Sequence, residues 1–184
     1  MLMLEQRIQQ HFFDSADLKY QTAETLARPI ADAAGALLGT ITAGGKMMAY
    51  GSGSAAPIAQ HAAALFVGRF ERERPPLAAL ALSGQAPLQL QALGHPGDLL
   101  LLFDAGEADP GAALAAIAAA QAQEMTVVVL AGRGGGALRE ALAETDVMIA
   151  VPHERSPRVL EMHLLVLHCL CDAVDLQLMG EQDP

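Results

Sequence analysis

The apolar residues of this chain occur in two patterns, one recurring at three- and four-residue intervals and one running nearly unbroken over short stretches. Over residues 4 to about 26, Leu4, Ile8, Phe12 and Leu18 recur at roughly helical spacing among Gln, Glu, Asp and Lys, which predicts an amphipathic helix that needs a surface. Pro29 is expected to open a second helix, because proline is preset for the first helical position. Ile30, Ala33, Ala34, Leu37, Leu38 and Ile41 form that helix's apolar stripe, and Gly44-Gly45 supplies its end. From Lys46 onward, short apolar runs at 46–50, 77–82, 99–103, 126–130 and 147–151 alternate with helix-length segments at 55–70, 111–123 and 135–143. Near-continuous hydrophobicity is what strands covered on both faces require, so the pattern predicts a five-stranded parallel sheet. Only 83–94 is too short for a full crossover helix. The expected fold class is α/β: one doubly wound domain with right-handed crossovers, in which residues 1–45 form a helical oligomerisation segment ahead of the sheet segment 46–184.

The last helix is expected to begin at Ser156-Pro157, a hydroxyl cap followed by a proline, and to run to about Met179. Its residues between Leu160 and Leu178 leave little polar face, so it must be buried on nearly every side. In a chain of 184 residues one side can pack on the sheet and another on a second subunit, which predicts a homo-oligomer, a tetramer for preference.

Composition narrows the function. With 52% hydrophobic residues the chain can bury a large interior, yet no run approaches the length of a membrane-spanning helix. Glu5, Arg7 and His11 interrupt the first segment, which is therefore no signal peptide, and a cytoplasmic protein is expected. A net charge of −10, with Lys19 and Lys46 the only lysines, argues against direct contact with nucleic acid. Cys169 and Cys171, two apart in a helix, point to different faces and read as reduced, buried thiols.

Candidate chemistry begins at Tyr50-Gly51-Ser52-Gly53-Ser54, where a strand meets a helix. Backbone N–H groups and the hydroxyls of Ser52 and Ser54 could hold a phosphate there, although the same glycines also serve a tight turn. Gly132-Arg133-Gly134-Gly135-Gly136 lacks the lysine and serine of a phosphate loop and reads as a flexible connection. The alternating charges of 69–74 read as a solvated helix end.

The stretch from Gly51 to Arg74, with Gln60-His61 and Phe66-Val67-Gly68-Arg69-Phe70, resembles the sugar isomerase (SIS) domain of the phosphoheptose isomerase family. So does the tail Arg158-Val159-Leu160-Glu161-Met162-His163 through His168-Cys169-Leu170-Cys171-Asp172, with a deletion near 83–93. Enzymes of that family resemble one another in placing a His, a Glu one turn later, and a Gln and His of the last helix around zinc. His61 and His168 match, whereas Leu65 and Leu160 stand at the two oxygen-ligand positions, so neither a metal nor another cofactor is expected. Without that chemistry the two would be ordinary hydrogen-bonded histidines, and His163 is rotated well away from His168 along the helix. In the second ligand loop, a serine and threonine cluster is replaced by Asp104, Glu107 and Asp109, which are expected to cap the helix that follows.

Ala92-Leu93-Gly94-His95 before Gly97-Asp98, with Glu161-Met162-His163 and Cys169-Leu170-Cys171-Asp172, looks like the non-catalytic branch of DnaA initiator-associating proteins. That resemblance implies a tetramer without enzymatic activity that binds the replication initiator DnaA and promotes its assembly at the origin, with Leu178 and Met179 as the contacting pair. The alternatives are a sugar-phosphate binding protein and a sedoheptulose 7-phosphate isomerase.

Overall fold

The apolar runs form one parallel sheet of β1 (Met47–Gly51), β2 (Ala79–Ala81), β3 (Leu99–Asp104), β4 (Thr126–Ala131) and β5 (Val147–Ala150), in the order β2-β1-β3-β4-β5. This computed structural model describes residues 2–107 and 109–181. The helices are α1 (Leu2–Thr42), α2 (Ala56–Val67), α3 (Ala86–Leu93), α4 (Gly111–Ala122), α5 (Gly136–Glu140) and α6 (Ser156–Met179). Strand side chains alternate between two cores. Met47, Ala49, Leu101, Phe103, Leu130 and Ile149 meet α1, α2 and α6, whereas Met48, Tyr50, Leu100, Leu102 and Val129 meet α3, α4 and α5. Burial on both faces is the reason the strands lack polar alternation. The chain steps outward from β1 to β2 and returns past β1 to β3, so the carboxyl ends of β1 and β3 flank the switch point where open α/β sheets bind ligands.

Three local expectations are corrected. The two predicted N-terminal helices are a single α1 with Pro29 inside it. Proline removes one helical hydrogen bond, but Leu26 before it and Ala33, Ala34 and Leu37 after it are buried in the same core, and that burial holds both halves in line. Consequently residues 1–45 share their core with the sheet. Ser156 is the first residue of α6 and makes no capping hydrogen bond; Pro157 follows it within the first turn. Cys171 is buried, whereas Cys169 is exposed, and both are free thiols.

A polar cluster ties α1 to α6. Ser15 Oγ donates to Glu161 Oε2 at 2.7 Å, Arg158 Nη2 lies 2.6 Å from His11 Nδ1, and Arg158 pairs with Glu161. Beyond it, between the same two helices, Leu26, Ile30, Leu165 and Val166 line an open apolar groove.

Candidate functional site

Gly51 ends β1 where the backbone folds back on itself, and a Cβ there would collide with the Ala55 carbonyl; Gly53 holds φ at +53°, the left-handed region. This turn aims α2, and the partial positive charge of its N-terminus, at the crevice. Ser52 donates its N–H to the Phe103 carbonyl at 3.0 Å and its Oγ to Asp104 Oδ2 at 2.6 Å, joining the ends of β1 and β3. Asp104 Oδ1 accepts the Gly106 N–H at 2.7 Å, and Glu107 Oε2 stands 3.6 Å from the position a Cβ on Gly53 would take. Of the three acids expected to cap α4, only Asp109 does so, accepting the Gly111 N–H at 3.1 Å; Asp104 and Glu107 turn into the first loop. Ser54 is exposed.

His61 from α2 and His168 from α6 come together, their ring centroids 6.1 Å apart at 71°. Phe70, in the segment after α2, packs on His168 at 5.2 Å. Neither imidazole has a hydrogen-bond partner among the described residues, so the rings are not held as ordinary bonded histidines are. Leu65 and Leu160 are half-buried and packed on the main core, offering methyl groups where a metal needs donors. Among the described residues no group of three or more His, Cys, Asp or Glu side chains gathers to hold a metal ion. Two imidazoles and two leucines do not fit a catalytic zinc, which needs about three protein ligands.

His163 sits on the sheet-facing stripe of α6, fully buried, with Phe103 at 6.1 Å and no hydrogen-bond partner on either ring nitrogen. Burial pushes its pKa down to about 4, while the Ala131 carbonyl and Asp104 carboxylate pull the other way. Its helical offset from His168 was legible in the sequence, but its burial against β3 was not.

Arg74 is a second residue the sequence misplaced. It is buried rather than solvated: Nε donates to Asp175 Oδ1 at 2.5 Å and Nη2 to the Leu65 carbonyl at 2.9 Å. The charge alternation around it describes the exposed Arg69 and Glu73, which pair with each other. Leu178 and Met179 are half-buried, Leu178 against the core, and Arg72 Nη1 donates to the Gly180 carbonyl at 2.7 Å, pinning the end of α6.

The SIS domain family matches residues 10–93. A phosphoheptose isomerase of Methylibium petroleiphilum is 56% identical over 199 aligned residues, covering 100% of this chain and 99% of the relative. One from Aromatoleum aromaticum is 43% identical, covering 96% and 97%. Among solved structures, a phosphoheptose isomerase from Francisella tularensis superposes with a TM-score of 0.86 at 35% identity, covering 95% of this chain and 99% of that one. The enzyme from Neisseria gonorrhoeae gives 0.85 at 32%, covering 94% and 98%.

These likenesses overturn the expectation of a non-catalytic protein that binds DnaA, because the full-length relatives are named as isomerases. That expectation drew on Leu65, Leu160 and the acidic loop, which remove donors from a pocket without supplying a surface for a protein partner. Leu178, offered as part of such a surface, packs into the fold instead. Alignment and superposition both run across nearly the whole length, and on that basis the chain belongs to the phosphoheptose isomerase family of SIS-domain proteins.

Proposed function

We propose that this chain is an aldose–ketose isomerase acting on a seven-carbon sugar phosphate, sedoheptulose 7-phosphate. The observation that carries the reading is the meeting of His61 and His168, far apart in sequence, at the two positions where this chain keeps the family's imidazoles. Isomerisation moves a proton between adjacent carbons. A base removes it from the hydroxyl-bearing carbon, an acid protonates the carbonyl oxygen, and the resulting enediol collapses with the roles reversed. Imidazole is the side chain best suited to both parts near neutral pH, and two facing rings supply one of each. Phe70 shields one side of His168 from water.

The decisive experiment is conversion of sedoheptulose 7-phosphate followed by NMR, with His61→Ala and His168→Ala as controls. Turnover that disappears in both variants supports the reading, and its absence from the wild-type protein under chelation and under zinc addition refutes it. A second reading is favoured by Leu65 and Leu160: a protein that binds the sugar phosphate without converting it. Calorimetric binding without turnover identifies that case.

We also propose that the protein is a homotetramer. Leu164 and Leu165 of α6 and Ile8 of α1 remain more than a third exposed in a single chain, beside the apolar groove between those helices. Among the described residues no helix is long and apolar enough to cross a membrane, which leaves a second protein surface to cover them.

A further inference from the structure

The turn between β1 and α2 has the elements of an anion seat: a helix N-terminus, a glycine turn and a serine hydroxyl. What faces it is acidic. Ser52 Oγ has one proton to donate and gives it to Asp104 Oδ2 at 2.6 Å, so it cannot also serve a ligand. Asp104 is itself held in place, because its other oxygen accepts the Gly106 N–H at 2.7 Å. Glu107 brings a second carboxylate to within 3.6 Å of where a Gly53 side chain would begin. The nearby cation does not neutralise them: the Arg133 stem lies against Gly106, but its Nε faces Glu154 Oε2 at 3.4 Å.

We propose that Asp104 and Glu107 are specificity-determining residues whose carboxylates occupy the anion seat of the 51–55 loop, so that a phosphate group enters only by displacing them. The inference rests on the sugar-phosphate reading above and adds a control to it: the resting loop discriminates against the phosphate dianion. Asp104→Asn keeps an acceptor for the Gly106 N–H, while its amide can donate to Ser52 Oγ and leave the serine proton for the ligand. Glu107→Gln removes charge from an exposed side chain without touching the fold.

The test is calorimetric titration of the full-length protein with inorganic phosphate and, separately, with sedoheptulose 7-phosphate. Each neutralising variant should tighten phosphate binding at least tenfold, and adding Ser52→Ala to Asp104→Asn should reverse most of the gain. Asp109→Asn, which removes the same charge from the cap of α4, should change affinity less than twofold. The proposal fails if neither neutralisation moves the affinity by more than twofold, if no form binds phosphate at millimolar concentration, or if Asp109→Asn matches the others. Should Asp104→Asn not fold, as judged by its melting curve, Glu107→Gln decides alone. Wild-type turnover with phosphate affinity unmoved in the variants sinks this inference and spares the isomerase reading. Tighter phosphate binding with no turnover in any form does the reverse.

Discussion

Arg74→Ala is the perturbation from which the structure predicts most. Arg74 and Asp175 have side chains only 2% and 3% exposed, and the pair connects the segment after α2 to α6. The guanidinium also donates to the Phe66 carbonyl at 2.8 Å and the Leu65 carbonyl at 2.9 Å, which α2 leaves unsatisfied at its last turn. Asp175 Oδ2 has no other partner, so truncation strands a buried carboxylate. Breaking a buried pair from one side costs about 3–5 kcal/mol. In a chain of this length each kcal/mol moves the melting temperature by roughly 2–4 °C, so a fall of about 10 °C is expected. Melting should be compared at one protein concentration, because self-association would shift it. Since α2 carries His61 and α6 carries His168, any turnover should fall as well. Arg74→Met with Asp175→Leu replaces the pair by apolar bulk and should recover most of the stability. Urea unfolding that places Arg74→Ala within about 1 kcal/mol of wild type, or a double variant no more stable than the single one, would refute this reasoning.

His163 predicts a pH dependence. The unfolded chain takes up a proton near the ordinary histidine value of 6.5, but the folded chain does so only near 4, so between these values the unfolded state binds more protons. Stability is therefore fully present above 6.5 and is lost as pH falls toward 4, by about 3 kcal/mol across the window. Asp98, whose carboxyl is lowered by hydrogen bonds from Lys46 and His95 against the opposing effect of burial, adds a loss of the same sign at lower pH. Urea unfolding at pH 7 and 4.5 should show the drop, and His163→Leu should flatten it; parallel slopes in both proteins would count against the assignment. For the assembly, Leu164→Glu or Ile8→Glu should dissociate the tetramer in light scattering, and a wild-type mass near 19.2 kDa at micromolar concentration would end that proposal.

The strands were legible because each is covered on both faces, and continuous hydrophobicity such as Leu99–Asp104 has no other cheap explanation in a chain this size. The Gly51 turn was legible for a similarly local reason: its conformation is set within five residues. The break expected at Pro29 was misread because propensity speaks for one residue, whereas α1 is held by contacts along its length. Arg74 looked solvated among its neighbours, since nothing nearby in sequence announces Asp175, 101 positions away.

The amino-acid sequence by itself determined the order of elements, the α/β class and the departures at Leu65 and Leu160, all of which depend on residue type and local periodicity. Tertiary structure alone decided that His61 and His168 face each other, that His163 is sealed against Phe103, and that Ser52 spends its proton on Asp104, 52 positions away. Periodicity reports how much of one element is buried, but it does not name the partner. A titrating group or a hydrogen bond depends on that partner, and distant segments meet only when the sheet is wound.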